Sequence, residues 1–506
     1  MQLLQSFQQF YSMTPTKTEC SAETYSFGQL DHRQVIADFS GGTITSDGGL
    51  ILVAQIDQQY HISERVAACF TDQRDPSRVQ HELSDLIAQR LYGLVQGYED
   101  LNDHEQLRHD PMFGIAVGKL ESEHPRCAPL AGKSTLNRLE QAMHVEGDLS
   151  EQRYVKVGVR PSEMERLLVE VFIEHHTKEP KQIILDMDVS DDPVHGTQEQ
   201  AFFNGYYHHE CYAPLLIFCR RHLLAAKLRP SNVDPAAGAL EELQRIIAQI
   251  RCHWAEVVII VRGDSAYGRE EIMGWCESQP QVEYVLAYPS NERLRTLSWG
   301  VEQRAKAAYE QQRQQIATRL EAVIDSTELP TELDALVPPQ VWYQSFTYRT
   351  NDSWSCHRRV VCKLTYDGKG ARRHFVVTSF SSAQLSAGTL HADYYCPRGE
   401  MENRIKEHQL DLFSDRTSTH EFESNQLRLW FSSFAYVLMQ ALRGQVLRHT
   451  ELADAQLGTI RLKLLKIGAQ IRVSCRRVVI AFSSAWAGQS LFHRIYQQLQ
   501  HLLHPG

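Results

Sequence analysis

Three acidic residues stand where a fold can gather them. Asp188, with Asp186 just before it, ends the apolar run KQIILDMD (181–188), Asp264 ends EVVIIVRGD (256–264), and Glu402 lies in PRGEMENRIKEHQLDLF (397–413). A short apolar run closing on acids reads as a buried strand that delivers carboxylates at its C-terminal end. Adjacent strands of one sheet set such side chains side by side, and a helix packed over the sheet adds the third. Three carboxylates so close repel one another unless a cation lies among them. Donors that are all oxygen favour a hard ion, so Asp188, Asp264 and Glu402 are expected to hold Mg2+ or Mn2+ rather than zinc. A pair of such ions activates water or a hydroxyl and stabilises the leaving oxygen in phosphodiester cleavage. Tyr395, Arg398 and Glu402 follow at spacings of three and four, and Pro397 suits a first helical turn. Arg398 and Glu402 then share a helix face, which puts a phosphate-binding guanidinium one turn from a metal-binding carboxylate. An ordinary surface ion pair has the same spacing.

The elements that must position these residues are legible as patterns. Residues 62–116 read as helical, with Leu83, Leu86, Ile87, Leu91, Leu94 and Val95 on one buried face. Ser46 or Asp47 is expected to cap a helix in 41–60, and Ser134 to cap GKSTLNRLEQAM (132–143), whose apolar stripe is Leu136, Leu139 and Met143. The other face of that helix offers Lys133, Asn137, Arg138 and Gln141. It suits the second helix of a DNA-reading pair, and equally any capped surface helix. After about residue 160 the order becomes strand (181–188), hairpin (211–219 and 222–230), helix (239–254), strand (256–264), helix (268–277), strand (282–289). That order implies a mixed sheet with helices on its faces. A long polar helix (300–325) and three alternating segments (341–350, 355–368, 372–380) form a β-rich insertion before helices return at 397–413 and 425–447. A strand (471–482) and a helix (489–503) close the chain.

Apolar residues make up 42% and charged residues 23% of the 506-residue chain, which excludes disordered, collagen-like and disulfide-scaffold classes. The 11 cysteines are scattered with no CxxC pair, so a reducing compartment and no zinc site are expected. HHEC (208–211) is set aside as a zinc site because consecutive ligands cannot all reach one ion. Neither a leader peptide nor a membrane span is read, and a cytoplasmic protein is expected. The net charge is −10, yet residues 443–506 carry +7 and the remainder −17. A basic C-terminal region on an acidic body, with Arg476 and Arg477 in it, is expected to hold a phosphate backbone; a solvated face has the same composition.

The stretches FSGGTITSDGGLIL, KSTLNRLE, LDMDVSDDPVHGTQEQAFFNGYY, VRGDSAYGRE, YYCPRGEMENRIKE and RLKLLKIGAQIR together resemble one family over roughly residues 35–500. It is that of DDE-type transposases of bacterial insertion sequences with a Tyr-Arg-Glu-Lys signature, of the insertion sequence 1380 type. The resemblance implies an α/β fold: a ribonuclease-H-like core interrupted by a β-rich insertion, plus a mainly helical N-terminal DNA-binding region. It implies Asp188, Asp264 and Glu402 as the catalytic triad, because Asp188-Val189-Ser190 fits the family's Asp-x-Thr/Ser turn better than the alternate, Asp186. Tyr395 and Arg398 match the signature positions that contact DNA. The signature Lys falls on Gln409, and Lys406 lies one turn earlier. DNA partners follow: terminal inverted repeats, read by the region holding Ser134, Asn137 and Arg138, and target DNA. Arg358, Arg359, Arg372 and Arg373 of the insertion are expected to grip DNA near the cut, and a homodimer is expected on DNA. The resulting division is a peripheral 1–40, a helical DNA-binding 41–160, a catalytic core in 161–289 and 391–450, an insertion 290–390 and a basic 451–506. A nuclease of the same fold, or an inactive DNA-binding descendant, are the alternatives.

Overall fold

The computed structural model describes residues 23–121, 128–146, 156–321 and 333–504. The expectations for residues 1–22 and for the end of the 300–325 helix fall outside them.

An eight-stranded mixed sheet is the frame. Its strands are β1 (Gln182–Val189), β2 (Leu215–Cys219), β3 (His222–Lys227), β4 (Val258–Gly263), β5 (Val282–Tyr288), β6 (Gln340–Tyr348), β7 (Arg358–Asp367) and β8 (Gly370–Thr378). Their order across the sheet is β3-β2-β1-β4-β5-β8-β7-β6. β1, β4 and β5 run parallel, β2 and β3 form an antiparallel hairpin on β1, and β8, β7 and β6 continue antiparallel from β5. The three strands of the expected insertion therefore make no separate sheet. They extend the central one, because β5 would otherwise end it with unpaired backbone groups.

Both faces of the sheet are covered, as the near-continuous apolar runs of β1, β2 and β4 require. In β2, Leu215, Ile217 and Cys219 face one core while Leu216 and Phe218 face the other, the alternation of a pleated strand. Helix α1 (Leu83–Gln96) buries its predicted stripe in the second core. α2 (Pro161–Glu174) contributes to both cores, with Leu168 in one and Phe172 in the other. α3 (Ala239–Arg251) covers the first, through Leu243, Ile246 and Ile250. α4 (Gly399–Lys406) carries Glu402, and α5 (Phe422–Ala441) packs against both α1 and β3. α5 is buried on nearly every side, as its apolar sequence without a polar face demands. Among the described residues no helix is long and apolar enough to cross a membrane.

Several local expectations are corrected. The helix after Gly48 spans Leu50–Tyr60 with Gly49 at its cap, and Asp47 instead accepts from Lys466 and Tyr98. A side chain on Gly49 would collide with the backbone around Leu464 and Leu465, which explains the glycine. Helix Lys133–Glu140 starts from Gly132 with no side-chain cap, so Ser134 lies inside it. Met143 is exposed beyond its end. Residues 471–482 form two strands, Ala469–Val473 and Val478–Phe482, joined by a turn that Ser474 closes onto Arg477. Residues 25–37 form a fully exposed two-stranded hairpin.

Candidate active site

β1 carries Leu185 and Met187 into the sheet's first core, so period-two alternation turns Asp186 and Asp188 to the opposite face. The two aspartates meet different environments. Asp186 faces Arg262 across the parallel pair β1–β4. The guanidinium donates to both carboxylate oxygens, at 2.5 and 2.8 Å, and its remaining arm reaches the Tyr394 carbonyl at 2.5 Å. Burial pushes the Asp186 carboxyl up, and Arg262 opposes that shift. The alternate acid is thus held in a closed pair.

Asp188 lies nearer the strand end. One of its oxygens accepts from the Val189 amide and the other from Arg398 at 2.6 Å. Asp264 follows directly on the last paired position of β4, Gly263 beside Met187, and its carboxylate accepts from the Ala266 amide. Glu402 is more open, 58% exposed, and 3.9 Å from the other arm of Arg398. Burial pushes Asp188 up to about 6; Arg398 pulls it down, and the negative charges of Asp264 and Glu402 push it up again. The three predicted acids therefore act on one another, with a single guanidinium among them.

They do not close into one coordination shell. Among the described residues no three His, Cys, Asp or Glu side chains stand close enough to hold one ion. Arg398 occupies the position of the counter-charge against Asp188.

The flanking residues fall into place around this cluster. The helical run holding Glu402 begins before Pro397: wide turns over Leu390–Tyr395 and a tight turn at Cys396–Arg398 lead into α4. The Tyr395 ring packs on His374 of β8 and on His391, with centroids 4.8 and 5.6 Å apart. Lys406 is exposed at the end of α4. The helix then widens over Glu407–Asp411, which turns Gln409 toward the loop after β1, where it donates to the Asp191 carbonyl at 2.8 Å. His209 of the set-aside HHEC stretch meets Asp191 at 3.1 Å. A groove of about 580 Å³ opens beside Gln409, lined by His195, Asp415, Arg416, Thr417 and His420 among others.

Other predicted contacts are distributed over the molecule. Ser134 and Arg138 are exposed and Asn137 half-buried on helix Lys133–Glu140, which is anchored by Leu136 and Leu139. Arg476 and Arg477 are exposed at the turn of the C-terminal hairpin. Much of the basic C-terminal charge is internal instead. Arg443 is buried against Glu407, Arg461 donates to the Val95 and Asp411 carbonyls, and Lys466 pairs with Asp47. The insertion arginines are likewise engaged. Arg358 is clamped by Glu270 and Glu277, Arg359 donates to the Phe380 and Ser381 carbonyls, Arg372 pairs with Asp367, and Arg373 with Glu302.

Residues 27–504 match the family described as Transposase DDE domain group 1. The chain belongs to that DDE transposase family. Its members cut nucleic acid and generally use divalent metals. No curated protein matches the chain. Among solved structures it is similar to the piggyBac transposase in its synaptic complex with hairpin DNA, at 9% identity and a TM-score of 0.40, over 82% of this chain and 80% of that one.

Sequence reasoning missed two groups at the site, Arg262 and Tyr267. Both sit in VRGDSAYGR, and the signal for each was local. An arginine two residues before a strand-end acid points to the same face as that acid. A glycine before the acid marks close approach, since a Cβ on Gly263 would meet the Tyr267 ring at 2.8 Å.

Proposed function

We propose that this chain is the transposase of a bacterial insertion sequence, which cuts the element's ends and joins them to target DNA. The observation that carries this reading is geometric: Arg398 donates to Asp188 at 2.6 Å and lies 3.9 Å from Glu402, while Asp264 follows the last paired residue of the strand beside Asp188. The strand order, with an antiparallel hairpin on one side of β1 and parallel strands on the other, supports a ribonuclease-H-like core.

The donor set fits a hard divalent cation: three oxygen-only acids, two on strand ends and one on a helix, with more negative charge than Arg398 balances. Asp188, Asp264 and Glu402 would hold Mg2+, or Mn2+ in its place. Bound there, such ions activate water or a 3′-hydroxyl and stabilise the leaving oxygen. The chain's own residues do the rest. Arg398 exchanges Asp188 for the scissile phosphate, which its planar fork suits. Leaving Asp188, it frees that carboxylate for the cation. Tyr395, packed on its two histidines, sits beside the phosphate path, and Lys406 and Gln409 flank the DNA one and two turns on. Ser134, Asn137 and Arg138 contribute to reading the terminal repeats, and Arg476 and Arg477 hold backbone phosphates from the C-terminal hairpin. Two ends must be processed together, so a homodimer forms on DNA, in the cytoplasm.

The test is end cleavage and strand transfer. Purified protein is incubated with Mg2+, a supercoiled target and a fragment bearing the element's terminal repeats, beside a Glu402→Gln variant. Nicking at the repeat ends with joined product, both absent in the variant, is the expected result. Cleavage without joining would make the protein a nuclease of the same fold. Tight binding without cleavage in either metal would make it a DNA-binding descendant.

A further inference from the structure

Next to the strand end that carries Asp188, a hairpin holds a tyrosine ring out in water. The stretch FFNGYYHHEC (202–211) folds as two antiparallel strands, Phe202–Asn204 and His209–Tyr212, and the second of them pairs with Asp192–Pro193, the short strand that follows β1. Contacts tie the hairpin tip to the candidate site. His209 lies 3.1 Å from the Asp191 carboxylate, and Gln409, on the helical run that carries Glu402, donates to the Asp191 carbonyl at 2.8 Å. The Tyr207 ring packs on His209 with centroids 6.1 Å apart, and Tyr206 stands edge-on to Tyr207 at 5.0 Å. This chain of contacts leads from the loop just after Asp188 out to Tyr206, which is 83% exposed.

The tip is fixed by its own bonds. Asn204 Oδ1 accepts from the amides of Tyr206 and Tyr207 at 2.9 and 3.3 Å, and its Nδ2 donates to the Ser231 carbonyl at 2.8 Å. The Ser231 hydroxyl in turn donates to the Phe202 carbonyl at 2.7 Å. His208 closes the turn in the left-handed region, at φ 63°, with its amide on the Asn204 carbonyl. A tyrosine on so firm a turn offers a flat contact face and loses little freedom on binding. Residues 201–212 contain no Lys or Arg, so this tip is not a grip on phosphate. An aromatic face beside a site that takes nucleic acid fits the face of a base, whatever its sequence. Cleavage supplies such a face: once the flanking DNA leaves, the last base of the element has lost one of its two stacking neighbours.

We propose that Tyr206 is the platform on which the terminal base of the cleaved element end stacks, so that the new 3′-hydroxyl stays beside the carboxylates. This rests on the reading of Asp188, Asp264 and Glu402 as the site of strand cleavage.

The test compares terminal-repeat duplexes on the full-length protein by fluorescence anisotropy, without divalent cation so that none is cut. One duplex runs on through the cleavage point, one ends at it, and one ends there with an abasic terminal nucleotide. The expected result is that wild type prefers the duplex that ends at the cleavage point, and that the abasic nucleotide weakens its binding roughly tenfold. Tyr206→Ala should show the same loss on the intact end and no further loss on the abasic one, while Tyr206→Trp should keep the full dependence. Wild type indifferent to the abasic nucleotide would overturn the proposal, and so would Tyr206→Ala still losing tenfold on it. Sedimentation of the DNA complexes tests the other occupant: a change from two chains to one in Tyr206→Ala, with the base dependence intact, would make the ring a contact between chains and overturn the proposal. Nicking in Mg2+ is run beside these. Wild type that nicks the repeat ends but ignores the terminal base overturns this inference alone; wild type that does not nick overturns the cleavage site, and this inference with it.

Discussion

Two arginine–carboxylate pairs lie two residues apart on β1 and behave oppositely. Asp186 and Arg262 are both buried, bonded through two prongs, and the third arm of the arginine is capped by a carbonyl. Charges match one to one. Asp188 and Arg398 share a single bond, the Nε of Arg398 has no partner, and two further acids act on the pair. The first arrangement is complete and has nothing left to offer a substrate. The second carries surplus negative charge near solvent and a guanidinium with a bond to spare. The two pairs share their residue types, and it is the uneven balance of acids and bases around Asp188 that makes it the candidate site.

The largest effect expected from breaking this contrast is on chemistry. Glu402→Gln or Asp188→Asn should lower nicking at the repeat ends by at least about a thousandfold while the protein stays folded, as gel assays and circular dichroism would show together. Asp186→Asn should lose activity only in proportion to stability.

Next comes stability. Arg262→Met leaves a buried carboxylate alone and should cost about 3–5 kcal/mol in urea unfolding. Arg398→Met should cost much less, because Asp188 can take up a proton instead. Equal losses would erase the distinction between the two pairs.

The pH dependence sharpens the same point. The Asp188 carboxyl titrates at about 6 in the folded chain, above its unfolded value, so the folded state binds the proton more tightly. Its contribution to stability is therefore full below about pH 4 and is lost as pH rises through about 6. Mn2+ affinity should rise over the same interval, since the ion competes with that proton. Asp188→Asn should be more stable than wild type at pH 7.5, by roughly 1–3 kcal/mol, and equal to it near pH 4. Thermal unfolding across this range measures both.

The smallest effect is expected far from the acids. Arg476→Ala with Arg477→Ala should weaken DNA binding uniformly across sequences and lower the salt slope by about two. Arg461→Ala, by contrast, removes bonds to the Val95 and Asp411 carbonyls and should act on stability rather than on the salt slope.

The local patterns carried much of this. Apolar runs ending in acids placed β1 and β4 and both strand-end aspartates, because a strand buried on both faces can expose polar groups only where it stops. The three alternating segments became β6, β7 and β8 for a different reason: a period of two marks a strand with one face more buried than the other. What stayed hidden depends on partners distant in sequence. Alternation says that a segment is a strand, not which neighbour it bonds, so the attachment of β8 to β5 was not legible. Counting charge after residue 443 overlooked Glu407 and Asp47, which neutralise Arg443 and Lys466 from elsewhere in the fold. The turn at Ser474–Arg477 contains no glycine or proline, so two strands read as one. Ser134 looked like a cap because it is the right residue type, but the chain enters that helix through Gly132.

The proposed chemistry requires Asp188, Asp264 and Glu402 to hold a cation once Arg398 has moved to DNA. Anomalous scattering from Mn2+ in a crystal of the full chain with its terminal-repeat duplex tests it most directly. Manganese is expected among the three carboxylates, with Arg398 released from Asp188 and bonded to a phosphate. Manganese bound elsewhere, with Arg398 still on Asp188, would contradict it.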